Sequence, residues 1–264
     1  MLKYFIPILA CLFSVSASAQ DYEAELKRSA QLGLLLYEFD SSAWVATDAL
    51  REKKKTWQLF TETASPKGWV TTEVDKNRLR TAFIAELDGK LVSVFDAETK
   101  GRKVKKKTTY PNGRPLTEAE RIQLLAKQAF TIDDIEPCAE FLPMNTIVIP
   151  SDNDDGQFLY VMSATKRPDL AIVGRHFRFN VSKDGRALSN RVSFSNGCLG
   201  LSKATPNGAR PVGLMTSHIK TAHPQEHHVF LSLVHDVPLF VMTTQNNQVW
   251  KVDGTKIKPV DMSN

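Results

Sequence analysis

Beyond residue 15 the chain has no apolar run approaching the ~20 residues that a spanning helix needs, which excludes a multi-span membrane protein. Its 13 glycines and 13 prolines form no low-complexity block, and no internal repeat is visible. With 42% hydrophobic and 24% charged residues, the 264-residue chain is too apolar for long disorder and too mixed for a collagen-like fibre. It contains no G-x-S-x-G elbow, no G-x-x-x-x-G-K-[ST] loop, no G-x-G-x-x-G and no H-E-x-x-H. The common hydrolase, nucleotide-binding and zincin readings therefore have no local support.

The one long apolar run lies at the start. Lys3 precedes an uninterrupted stretch from Tyr4 to Val15, followed by Ala17 and Ala19 in the A-x-A arrangement. This is the pattern of a secretory signal peptide over residues 1–19, too short to span as a helix. A lipid-anchor reading through Cys11 is weaker, because the bulky Leu9 fits the lipoprotein peptidase pattern poorly. Cleavage after Ala19 removes Lys3 and lowers the net charge from +5 to +4. The expected location is the periplasm or the extracellular medium. Only Cys138 and Cys198 then remain, and an oxidising compartment pairs them by default. That bridge closes a loop of about 60 residues, worth on the order of 4 kcal/mol in the chain-entropy account.

The mature chain reads as α+β: N-terminal helices and a β-meander over residues 20–115, then a connecting helix and a larger, mainly antiparallel sheet over 116–264. The two regions are compatible with one continuous domain. Leu32, Leu35, Leu36 and Phe39 share a helical face, and Ser41 or Ser42 is expected to cap a second helix carrying Trp44, Thr47 and Leu50. Strands at 79–87 and 91–95 flank Asp88-Gly89, a type I′ hairpin signal. Asp-Gly or Asn-Gly recurs at 112–113, 155–156, 184–185, 196–197, 207–208 and 253–254, which favours antiparallel pairing. Residues 100–115 read as a linker. Thr117 and Glu120 form a capping box for a helix with Ile122, Leu125, Ala126 and Ala129 on its apolar face. Further strands are expected at 146–150, 158–165, 171–181, 187–195, 211–216, 229–235, 239–244 and 248–252.

The basic stretch Lys100–Lys107 has no interleaved aromatics, so nucleic acid is not an expected partner; a solvated loop, or an edge strand whose lysines deter pairing, explains it better. The Asp152–Gly156 run fails as a calcium loop, because Met162 falls where a bidentate carboxylate belongs, and it reads as a hairpin turn. Asp133, Asp134 and Glu136 read as solvated carboxylates.

All six histidines lie in the second half, and His218, His223, His227 and His228 crowd one segment with Glu226. Imidazole is the commonest metal ligand and suits zinc or another transition metal. The expected set is His218 and His228 facing each other across a hairpin, His176 from another strand, and Glu226 as a fourth ligand or general base. On strand alternation His176 shares the polar side with Arg178 and Asn180.

Phe194-Ser195-Asn196-Gly197-Cys198-Leu199 resembles the catalytic segment of L,D-transpeptidases, with His176 upstream. That resemblance implies a Cys198 nucleophile with a histidine base. Asn196 stands in place of the family's histidine and Gly200 in place of its arginine. Separately, Gly174–Arg178 and the run from Thr216 through His218, Pro224 and Glu226 to Phe230 resemble a group of exported bacterial proteins of no assigned function. The leading expectation is an exported protein that binds an unknown ligand or envelope partner. A metal-dependent hydrolase using the histidine cluster and a Cys-His peptidoglycan enzyme are the alternatives.

Overall fold

A computed structural model describes residues 22–138, 143–152, 156–205, 208–209 and 211–262. The signal-peptide pattern, Asp155 and Asn207 lie outside the described residues. The described chain opens with one unbroken helix, α1 (Glu23–Arg51). The expected break at Ser41 or Ser42 is absent because Ser42 is used sideways. Its buried hydroxyl bonds to Thr81 (3.1 Å) and Thr99 (2.8 Å), and Thr81 in turn bonds to Thr71 (2.9 Å). The chain then turns through α2 (Lys54–Gln58) and a π turn at Leu59–Thr63.

Four antiparallel strands follow as a meander: β1 (Ser65–Asp75), β2 (Arg78–Leu87), β3 (Lys90–Lys100) and β4 (Lys103–Pro115). Asp88 (φ 50°) and Gly89 (φ 72°) both take the left-handed conformation that the hairpin requires. The expected linker at 100–115 is instead β4. The chain can pair there because Asn112-Gly113 sits in an irregularity within the strand, not in a hairpin, with Gly113 at φ 71°. β4 is an edge of this sheet, so its lysines guard an open ladder.

Helix α3 (Glu118–Ala129) starts at the expected capping box: Glu120 N–H donates to Thr117 Oγ1 (3.2 Å) and Thr117 N–H to Glu120 Oε2 (2.9 Å). Its buried side is Glu120, Gln123, Leu124 and Ala126, rotated from the expected face because Glu120 goes inward to meet Arg114 at 2.7 Å.

The remainder comprises β5 (Met144–Pro150), β6 (Gln157–Ser163), β7 (Leu170–Ile172), β8 (Phe177–Val181), β9 (Leu188–Ser193), β10 (Gly200–Ser202), β11 (Leu214–His218), α4 (Glu226–His235), β12 (Leu239–Thr243), β13 (Gln248–Asp253) and β14 (Lys256–Pro259). They form a four-stranded sheet ordered β5-β6-β8-β9, a short β7-β10 pair, and a sheet ordered β11-β12-β13-β14. All pairs are antiparallel except β11 with β12. The fold is α+β with mainly antiparallel sheets. No helix among the described residues is long and apolar enough to cross a membrane.

Two expectations fail here for physical reasons. The strand expected at 171–181 is two strands in different sheets, broken where Arg175 turns to φ 54°. The strand expected at 229–235 is helix α4. A short, mostly apolar run, broken only by Ser232 before His235, has too little periodicity to separate strand from buried helix. The connection between parallel β11 and β12 requires a crossover, and α4 supplies it.

The largest core joins α1 (Leu32, Leu36, Phe39) to α4 (Val229, Phe230, Leu231), β6 (Phe158, Tyr160) and the last sheet (Val241, Trp250). Gly33 is the crossing point of the two helices: a Cβ there would lie 2.5 Å from Val229 Cβ and 2.6 Å from the Glu226 carbonyl oxygen. A second core places Ala46, Ala49 and Leu50 of the same α1 under Phe83 and Phe95 of the meander.

Candidate metal centre

Three backbone segments build the site. β11 ends at His218, α4 begins at Glu226, and the loop before β8 carries His176. That loop lies flat against residues 194–199. Val173 N–H donates to Leu199 C=O (2.7 Å), Arg175 N–H to Ser195 Oγ (2.8 Å), and Phe194 N–H to His176 C=O (3.1 Å). Gly174 permits the approach, since a Cβ would fall 2.3 Å from the Gly197 oxygen. The Cys138–Cys198 disulfide pins the same segment, with Cα atoms 5.3 Å apart. Cys198 therefore has no thiolate to offer, and the transpeptidase-like reading lacks its nucleophile in this structure.

Pro224 stiffens the approach to α4, and Gln225 N–H donates to His228 Nδ1 at 3.1 Å, closing the helix start. The first turn then projects three polar side chains inward. His227 and His228 have ring centroids 3.7 Å apart, and His218 comes within 4.8 Å of His228 and 5.7 Å of His227. One nitrogen from each of these three rings lies within 4.8 Å of the others, and all three rings are buried. His218 and His228 thus meet across a parallel crossover, not across the expected hairpin.

His176 is fully buried, not on a solvated polar face, and sits 5.9 Å from His227. Both of its nitrogens are committed: Nδ1 accepts from Ser163 N–H (3.1 Å), so Nε2 carries the proton that it donates to Ile172 C=O (3.2 Å). The structure leaves it no lone pair for an ion. Glu226 is turned away from the histidines. It accepts from the Tyr160 hydroxyl (3.1 Å) and pairs with Arg178. Arg178 also lies 4.7 Å over the Phe158 ring, and its Nε is buried without a hydrogen-bond partner. Phe194 separates this acid-base pair from the triad, stacking on Tyr160 at 6.3 Å and on His227 at 4.6 Å.

Desolvation, then repulsion between neighbouring rings, holds His227 and His228 well below the ordinary imidazole value. Desolvation brings His176 and His218 down to about 4. All four rings are therefore neutral at pH 7, the form that ligates metal. Proton positions follow from the partners. Thr221 Oγ1 donates to His223 C=O at 2.6 Å, so it must accept from His218 Nε2–H at 2.9 Å, which leaves His218 Nδ1 bare. His227 Nδ1 is buried without a partner. His218 thus presents an unprotonated Nδ1, with the Gln225 side chain close to its ring, and His227 presents a lone pair at Nδ1 in its Nε2–H tautomer. His228 offers Nε2 only if the Gln225 bond to its Nδ1 breaks, a loss of about 1 kcal/mol. That is small beside the ~10–16 kcal/mol that structural zinc supplies in small domains.

Three zinc-bound nitrogens at about 2.05 Å in tetrahedral array stand about 3.3 Å apart. The observed limit of 4.8 Å asks for a closure of no more than about 1.5 Å, within the reach of χ rotation. The sequence reasoning missed His227, because in a strand it would point away from His228. The available signal was Pro224 with Gln225 and Glu226, a helix start ahead of an unalternating apolar run. Comparison with known proteins finds no matching family, no matching curated protein and no matching solved structure.

Proposed function

We propose that this chain is an exported binding protein that holds a single transition-metal ion, zinc or copper, on His218, His227 and His228. The observation that carries the reading is the convergence of three buried neutral imidazoles, with one ring nitrogen, His227 Nδ1, left without a partner. A buried polar atom without a partner costs on the order of 1–3 kcal/mol, and an ion on the Nε2–H tautomer of His227 would satisfy it. The signal-peptide pattern and the Cys138–Cys198 bridge support export. A binding role is preferred to hydrolysis because a catalytic ion keeps a position open for water, whereas these rings are buried. The nearby carboxylate that would serve as base, Glu226, is held by Arg178 instead.

The test is metal content and calorimetry on tag-free protein stripped with chelator. One equivalent of zinc or Cu(I) is expected to bind and to raise the melting temperature. H227Q and H218Q should each weaken binding at least tenfold, while H223Q, at a half-buried ring outside the cluster, leaves it intact. Failure of both ions to bind, or binding that survives H227Q and H218Q, overturns the assignment.

A further inference from the structure

A groove of about 680 Å³ lies away from the triad, between α1, α4 and the loop joining β6 to β7, and none of the three metal-site histidines lines it. Its volume is in the range that takes small molecules. One wall is a stripe of α1, running from Asp40 through Trp44 and Thr47 to Arg51. The facing wall includes Phe230, Leu231 and Val234 of α4, with Met144 and Met162 between. Trp44 is 65% exposed and Val234 41%, so the fold leaves large apolar side chains uncovered here. The stripe extends about 16 Å at 1.5 Å per residue, enough for an extended chain of dodecanoate length.

The charge of the lining is one-sided. Arg51, Lys166, Arg167 and Lys203 face a single carboxylate, Asp40. Asp40 is buried at the floor and accepts from Asn145 Nδ2 at 2.5 Å. Arg51 and Arg167 have local carboxylate partners in Asp48 and Asp169. Lys166 and Lys203 form no ion pair within 4.0 Å among the described residues, although Lys203 lies close enough to Asp169 and to His235 to act on both. An apolar trough with unpaired ammonium groups at its mouth matches one ligand chemistry, an apolar chain ending in an anion.

We propose that this groove binds a single-chain anionic amphiphile of the fatty-acid type, its chain along Trp44 and Val234 and its carboxylate between Lys166 and Lys203. The metal reading is not required. The experiment is calorimetry with sodium dodecanoate below its micellar concentration, set against dodecyltrimethylammonium, which has the same chain and the opposite charge. Dodecanoate is expected to bind one to one and at least tenfold more tightly. K166E/K203E should erase that preference, and T47W should block both ligands by filling the trough. Lys166 is exposed and Thr47 and Lys203 are half-buried, with none in a core cluster, so far-ultraviolet circular dichroism and the melting temperature should stay near wild-type values. Equal binding of the two amphiphiles, binding unaffected by T47W, or capture of anionic vesicles without saturable uptake of dodecanoate would each overturn the proposal.

Discussion

Acid should unfold the metal-free protein well above the usual carboxylate range, and the buried imidazoles set the size of the effect. An unfolded histidine titrates near 6.5, so at pH 5.5 it binds a proton and stabilises the unfolded chain by RT ln(1 + 10), about 1.4 kcal/mol. In the fold, His176 and His218 are held to about 4, and His227 and His228 well below the ordinary value, so the native state takes up almost no proton there. A depressed histidine leaves stability intact above the unfolded pKa and removes it as pH falls from about 6.5 toward the folded value. Four such rings remove about 5 kcal/mol between pH 7.5 and 5.5. Partly exposed His235 adds in the same direction and is discounted for solvent. One group opposes. Burial raises the Asp40 carboxyl to about 6, so its protonation returns somewhat under 1 kcal/mol over the same window. The net loss of about 4–5 kcal/mol is a large part of the 5–15 kcal/mol that domains have. Urea unfolding of chelator-treated protein at pH 7.5, 6.5 and 5.5, followed by circular dichroism, should show the midpoint falling steeply below 6.5. A midpoint unchanged from 7.5 to 5.5, at constant slope, would refute the claim that these rings are dry and neutral.

Gly33→Ala gains up to about 1 kcal/mol of helix propensity but drives a methyl into Val229 and the Glu226 carbonyl, so a net loss of about 1–3 kcal/mol is expected. A thermal melt with an unchanged or higher midpoint would contradict the close crossing of α1 and α4. Arg178→Met strands Glu226 as a buried carboxylate and should cost about 3–5 kcal/mol. Adding Glu226→Gln should restore most of that in denaturant unfolding, and additive losses would show that the two groups do not depend on each other.

Features fixed by neighbours in sequence were legible. Asp88-Gly89 and the Thr117–Glu120 box are decided within four residues, and the structure has both. The disulfide was legible because the expected loss of Cys11 with residues 1–19 leaves each remaining cysteine one possible partner. Features fixed by distant partners were not. Nothing near Ser42 announces that Thr81 and Thr99 will take its hydroxyl and let α1 run on. Nothing near Glu226 announces Arg178, so the carboxylate was assigned to the histidines beside it in sequence. The proximity of His218 and His228 was readable from their shared segment, but a helical first turn was needed to bring His227 to the same point. The polar alternation of His176 with Arg178 pointed outward, and the left-handed turn at Arg175 placed the ring inside.

The length of α1 couples the two ends of the chain in time. Its 29 residues extend about 43 Å, long enough to serve one core with Leu32 and Leu36 and another with Ala49 and Leu50. Yet α1 shares its core with Val229 and Trp250, about 200 residues further along the chain, so during synthesis the helix emerges long before these partners do. Until they arrive, the Leu32–Leu36 stretch of α1 lacks part of its cover, although Ala49 and Leu50 can already pack on the meander. That core therefore stays incomplete until the chain through Trp250 has been made. Closing loops of about 200 residues costs little more than closing shorter ones in equilibrium terms, but it makes the final docking of α1 a late and slow event.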